Sequence, residues 1–273
     1  MTNMQNSKAP GIGVAHFSAI HLAPIEFVRQ AAAAGFSSVG LRLHPAFPGA
    51  PFYELPEGSD AARSLKSTLQ SEGMRVFDIE FFVIDADFDA YAMEPIVAAA
   101  ANIGASRLTA CGDDAERGRL TENLASFCRL AQRYGMAVDV ENMGWRTVRT
   151  FADSVALVED CAAENAGLLV DALHFFRNGA KASDIAPSMA HVKHIQLCDV
   201  TGAAPSLPAE MIAEARGGRL APGDGELPLM ELLKWSRRAA TVSVEVPLVG
   251  NQPAQQHLND LFQKTARILT PSL

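Results

Sequence analysis

Short runs of apolar and β-branched residues alternate along this chain with longer stretches whose apolar positions recur every three to four residues. The first pattern predicts buried strands and the second amphipathic helices. Strands are expected at GIGVAHF (11–17), SSVGLRL (37–43), MRVFDIEFF (74–82), SRLTACG (106–112), MAVDVEN (136–142), AGLLVDA (166–172), HVKHIQLCD (191–199) and TVSVEVP (241–247). Helical patterning covers APIEFVRQAAAAG (23–35), SDAARSLKSTLQSEG (59–73) and TENLASFCRLAQRYG (121–135), each closing on a glycine suited to a left-handed C-cap. Pro247 closes the last strand, because it cannot donate to a ladder.

Eight strand signals, each followed by a helix or a long loop, predict the α/β class and a single (β/α)8 TIM barrel. The expected domain is the whole of 1–273, with a barrel core over about 11–270. An open doubly wound sheet is the rival, but no G-x-G-x-x-G follows the first strand. No repeat, low-complexity tract or linker divides the chain.

Composition narrows the partners. Hydrophobic content of 48% with 20% charged residues is that of a globular protein with a sizeable core. A formal net charge of −8 argues against nucleic acid or an anionic membrane, both of which ask for basic surface. Cys111, Cys128, Cys161 and Cys198 are widely spaced and form no C-x-x-C, which suggests reduced, buried thiols. The polar start MTNMQNSKAPG has no apolar run, and no segment reaches the roughly 18 apolar residues of a membrane span, so a cytoplasmic location is expected.

Catalytic groups in such barrels come from the C-terminal ends of the strands. The last four strands end VDVEN, LLVDALH, HIQLCD and VSVEVP, so each finishes with a carboxylate or another metal-competent side chain. Glu141, Asp171 and Glu245 lie in apolar strand contexts, where an inward carboxylate is costly unless paired or bound to a cation. Acids converging on one mouth repel each other, and a divalent metal resolves that conflict. The residues therefore point to a metal site of Glu141, Asp171, Glu245 and one group from strand seven. His16, Arg42 and Glu80 end earlier strands and are pocket candidates, and Trp145 is placed to pack on a sugar face or cover the rim.

The order E-N at strand five, V-D-x-x-H at strand six, a polar residue before L-x-D at strand seven and V-E at strand eight resembles the xylose isomerase-like TIM-barrel superfamily. The resemblance spans roughly 11–270, its motifs 136–247. It implies sugar isomerase or epimerase chemistry, with dehydratases and apurinic endonucleases as relatives. It further implies that Glu141, Asp171 and Glu245 ligate metal and that Glu141 and Glu245 transfer protons. His174 and Arg219, the latter in GGRLAPGDGELPL (217–229), match substrate-binding residues, and the loop carrying Arg219 is a candidate cover for the mouth.

Strand seven departs from the superfamily's common H-x-x-D. Counting back three from Asp199 gives Gln196, with His194 on the same face one layer deeper. Gln196 is therefore the expected fourth ligand and His194 the alternative; Asp199 is expected to anchor its loop. An all-oxygen site favours Mg2+ or Mn2+ over Zn2+. The expected activity is metal-dependent isomerisation or epimerisation of a sugar or related hydroxy-ketone through an enediolate. A lyase or dehydratase on a similar compound, or a non-catalytic sugar-binding barrel, is the alternative. The absence of a phosphate cradle, with little lysine near the mouth, does not favour a phosphorylated sugar. A homodimer is compatible with the fold.

Overall fold

The structure is a computed structural model describing residues 11–236 and 241–269. Residues 1–10, the polar start, and residue 270, at the edge of the expected core, lie outside the described residues. Eight parallel strands close into a barrel in sequence order: β1 (Ile12–Val14), β2 (Ser38–Leu41), β3 (Arg75–Ile84), β4 (Arg107–Gly112), β5 (Ala137–Val140), β6 (Ala166–Asp171), β7 (Val192–Leu197) and β8 (Thr241–Val244). Val14 pairs with Val244 to complete the ring, which leaves no sheet edge open.

The main apolar core lies outside the barrel, between strands and helices. Val39, Leu41, Ile79, Leu108, Val138, Val170, Ile195 and Val242 are buried members of it. Phe27 and Val28 of helix Pro24–Ala34 belong to the same core, as do Leu124 and Phe127 of Arg117–Arg133 and Leu258 and Leu261 of Ala254–Leu269. These helices carry apolar residues at three- and four-residue spacing because only one stripe faces the strands. Gly35 takes φ +109 at the end of the first of them, a left-handed cap that a side chain would strain.

The barrel interior is polar instead. Arg107 on β4 forms a two-pronged ion pair with Asp139 on β5 near the N-terminal end. One layer up, the Thr109 hydroxyl donates to Asp78 Oδ2 at 2.8 Å, and His194 Nε2 lies 2.7 Å from Ser243 Oγ. His194 also sits 3.9 Å from Asp78 across the barrel and edge-on to Phe77. Register shifts at Val39/Gly40 and Ile79/Phe82 kink this side of the sheet, and such irregularities re-aim side chains. A Cβ on Gly40 would lie 2.4 Å from Asp78 Oδ1, so the close packing of β2 on β3 requires glycine there.

All eight expected strands are present, but six of them end one to three residues early. His16 leaves β1 for a short 3-10 turn, and Glu141 and Glu245 fall one residue beyond β5 and β8. Their amides still bond the neighbouring strand, Glu141 N to Ala110 O at 2.9 Å and Glu245 N to Leu197 O at 3.0 Å. The inward alternation therefore persists while the chain turns into the following loop.

Candidate active site at the barrel mouth

Strand β6 runs directly into helix Ala172–Arg177, and the junction explains its V-D-x-x-H spacing. Asp171 is the N-cap: its Oδ1 accepts from the His174 amide at 3.1 Å, which places the His174 ring beside the carboxylate that caps it. Asn142 and Asn178 both donate to the His174 carbonyl, at 3.1 and 2.7 Å, and Trp145 packs edge-on against its ring at 5.1 Å. Ligand atoms of Glu141, Asp171 and His174 all lie within 4.8 Å of one another. His174 Nε2 is 4.0 Å from Glu141 Oε1. Burial pushes the imidazole down to about 4, so the ring is neutral and this contact is not an ion pair.

Arg219 ties the cluster together from the loop after β7. Its Nη1 donates to Asp171 Oδ2 at 2.6 Å, its Nη2 lies 3.0 Å from Glu245 Oε2 and 3.5 Å from His174 Nε2, and its Nε donates to Ala215 O at 3.0 Å. A guanidinium so deeply buried must arrive on a fixed backbone, and Asp199 supplies it. The Asp199 carboxylate accepts from the amides of Val200, Gly223 and Leu227 at 2.9, 3.1 and 2.9 Å, while its backbone pairs with Leu220. The 217–229 loop is thus pinned at both ends of its turn, and it brings Arg219 into the cavity.

Three buried carboxylates face one buried guanidinium. Desolvation raises all three, but Arg219 outweighs it at Asp171 and holds that group below the usual carboxylate range. Glu141, which Arg219 does not bond, is pushed well above that range by burial and by the charges of Asp171 and Glu245. Burial, with Glu80 and Asp171, raises Glu245 to about 8 despite its contact with Arg219. With all three ionised the cluster carries two negative charges in excess, which one divalent cation would cancel. Gln196, opposite Asp171 in register, lines the same cavity and offers an amide oxygen. The donor set therefore fits a hard divalent ion, with Arg219 sharing the carboxylates.

The cavity has a volume of about 640 Å3, including its open mouth. Glu141, His174, Gln196, Arg219, Glu245 and Trp145 line it. His194 lies one layer below, engaged with Ser243. His16 lies outside the lining, and both of its nitrogens are committed: Nε2 to Leu22 O at 2.9 Å and Nδ1 to the Arg42 amide at 3.3 Å. Its ring stacks between Phe27 and Tyr53, at 4.6 and 5.3 Å. Arg42 and Glu80 pair at 2.9 Å on the opposite wall, where Glu80 also accepts from the His16 amide at 2.8 Å.

Sequence reasoning passed over Asp78, Thr109, Phe47, Arg146 and Arg216, all of which line the cavity. Asp78 had a signal, since D-I-E on one strand puts Asp78 and Glu80 on one face. The two arginines had none, because their positions depend on how separate loops fold.

No curated protein matches the chain in sequence. Solved structures match its fold at low identity. A xylose isomerase-like TIM barrel/4-hydroxyphenylpyruvate dioxygenase fusion protein is 18% identical with TM-score 0.79; 96% of this chain is covered, which spans 43% of the fusion protein's length. The probable 3-DHS dehydratase AsbF from Bacillus anthracis is 14% identical with TM-score 0.76, covering 94% of this chain and 99% of that one. A D-psicose 3-epimerase solved with D-fructose is 15% identical with TM-score 0.71, covering 95% and 99%. The family model described as xylose isomerase-like TIM barrel matches residues 28–265, and the chain belongs to that family.

Proposed function

We propose that the protein is a divalent-metal-dependent isomerase or epimerase of a sugar or related hydroxy-ketone. The observation that carries this reading is the pair Glu141 and Glu245. Both are buried in one cavity and raised above the usual range, yet only Glu245 is tied to Arg219. Two carboxylates in unequal surroundings divide the roles of base and acid, and a bound divalent cation would return the base to its ionised form. The ionised one removes the proton from the carbon beside the substrate carbonyl. The protonated one returns a proton to the opposite face, or to the neighbouring carbon if the carbonyl moves. Arg219 and neutral His174 hold hydroxyl oxygens in place, and Trp145 keeps water from one side. Glu141, Asp171, Gln196 and Glu245, with His174 beside them, would hold a divalent ion, which would supply Lewis acidity for the carbonyl.

The test is solvent-proton exchange. The metal-loaded protein incubated with ketoses in deuterium oxide incorporates deuterium at the carbon next to the carbonyl, and Glu245→Gln does not. A fully active Glu245→Gln protein removes the assignment. A lyase is the second reading, favoured by the fold's likeness to a probable dehydratase. It begins with the same proton removal, after which Glu141 protonates the departing β-hydroxyl. An unsaturated product absorbing in the ultraviolet, in place of a second ketose, selects it.

A further inference from the structure

The outer half of the cavity is built from different material. Arg42, Arg146 and Arg216 reach it from the loops after β2, β5 and β7, among the aromatic rings of Phe17, Phe47 and Phe81. The Arg216 guanidinium stacks 3.9 Å above the centre of the Phe47 ring, and that of Arg42 stacks 4.7 Å above Phe17. Stacking fixes the plane of each fork and leaves its N–H edge directed sideways.

Three guanidiniums here meet only two carboxylates. Glu80 takes Nη2 of Arg42, and Asp113 takes Nη1 of Arg146. Arg216 forms no ion pair or hydrogen bond among the described residues. The buried Nε atoms of Arg42 and Arg146 have no hydrogen-bond partner, and the Arg42 side chain is 4% exposed. A chain with a net charge of −8 thus gathers one uncompensated positive charge, and several unspent N–H donors, at the mouth of its own pocket. Unspent buried donors are costly unless something fills them. The three arginines also disfavour one another, as the lowered affinity of Arg216 for its proton registers after desolvation is counted.

The geometry points to a substrate that carries an oxyanionic group, a carboxylate by preference, held by Arg42, Arg146 and Arg216 while its hydroxy-ketone end faces Glu141 and Glu245. A carboxylate brings one negative charge for the one in excess, and its two oxygens match the planar fork of an arginine. A phosphate brings the same oxygen chemistry with more charge than the site leaves unbalanced. The inference rests on the proposed function for the identity of the reacting end, and its test is kept independent of turnover.

Binding of three unreactive polyols to the full chain is measured by calorimetry: gluconate, glucitol 6-phosphate and uncharged glucitol. Gluconate is expected to bind at least tenfold more tightly than glucitol, with the gap shrinking as salt is added. Arg216→Gln removes most of the gap and leaves glucitol unchanged, whereas Arg216→Lys keeps part of it. Arg216 is exposed, so these variants fold, which circular dichroism verifies. Glucitol binding as tightly as both anions overturns the inference, as does an undiminished preference in Arg216→Gln. Preference for the phosphate alone retains the anion site and overturns the carboxylate assignment. A gluconate preference that survives while Glu245→Gln remains fully active would mean that the anion site stands and the proposed reaction does not.

Discussion

The two walls of the barrel mouth bury charge in opposite ways. On the β2–β3 wall, Arg42 and Glu80 stand one to one, and the Glu80 carboxylate is completed by the His16 amide. His16 spends both ring nitrogens within 3.3 Å of fixed partners. On the β5–β8 wall, Asp171 and Glu245 share one guanidinium that Glu141 beside them does not bond, and Glu141 and Glu245 are driven above their ordinary range. A balanced pair carries its own counter-charge and needs no cation to be buried. An unbalanced cluster is costly to bury, and under the proposed function one divalent ion would offset its imbalance.

Substitutions on the two walls should therefore have opposite signatures. The largest effect is on turnover: Glu245→Gln lowers it about a thousandfold or more in a ketose exchange assay, with the circular dichroism spectrum unchanged. Glu80→Gln does the reverse. It leaves Arg42 buried without its counter-charge and costs about 3–5 kcal/mol in urea unfolding. If both variants lose stability alike, the contrast between the walls is wrong.

The pH dependence sharpens the contrast. Glu245 is raised from 4.5 to about 8 in the fold, so its contribution to stability is present below pH 4.5 and is lost as the pH rises through 8. In chelator-stripped protein, the stability of Glu245→Gln relative to wild type should therefore improve on going from pH 5 to pH 8, by on the order of 3 kcal/mol. The lost contact with Arg219 offsets both measurements, so the change in the gap is the readout. A gap independent of pH contradicts the burial assigned to Glu245. The smallest effect is expected at Asp199→Asn, which weakens the amide bonds holding the Arg219 loop. It should cost about 1–2 kcal/mol in urea and raise KM more than it lowers kcat.

Much of this was legible in residue order. The eight strands follow from short β-branched runs separated by helical periodicity, and β3, at Arg75–Ile84, extends two residues past the expected 74–82. Period-two counting placed Gln196 and His194 on one face, and the structure has Gln196 at the cavity with His194 beneath it against Ser243. His16 illustrates the limit. A histidine at a strand end reads as a pocket residue, but its role is set by Leu22 O and the Arg42 amide, which no local pattern announces. Arg146 and Arg216 were illegible for the same reason: the convergence of two loops is a property of the closed barrel. Glu141 and Glu245 were found from their apolar context, although each sits just beyond its strand and not inside it.

The central claim is that the excess charge on the β5–β8 wall awaits a divalent cation. The most direct test adds Mn2+ or Mg2+ to chelator-stripped protein and follows thermal unfolding, with no reliance on activity. The wild type should gain stability, by about 2.7 kcal/mol at a hundred times the dissociation constant. Glu141→Gln/Glu245→Gln, which removes two negative charges, should gain little. An equal rise in both proteins, or none in the wild type, would contradict the account.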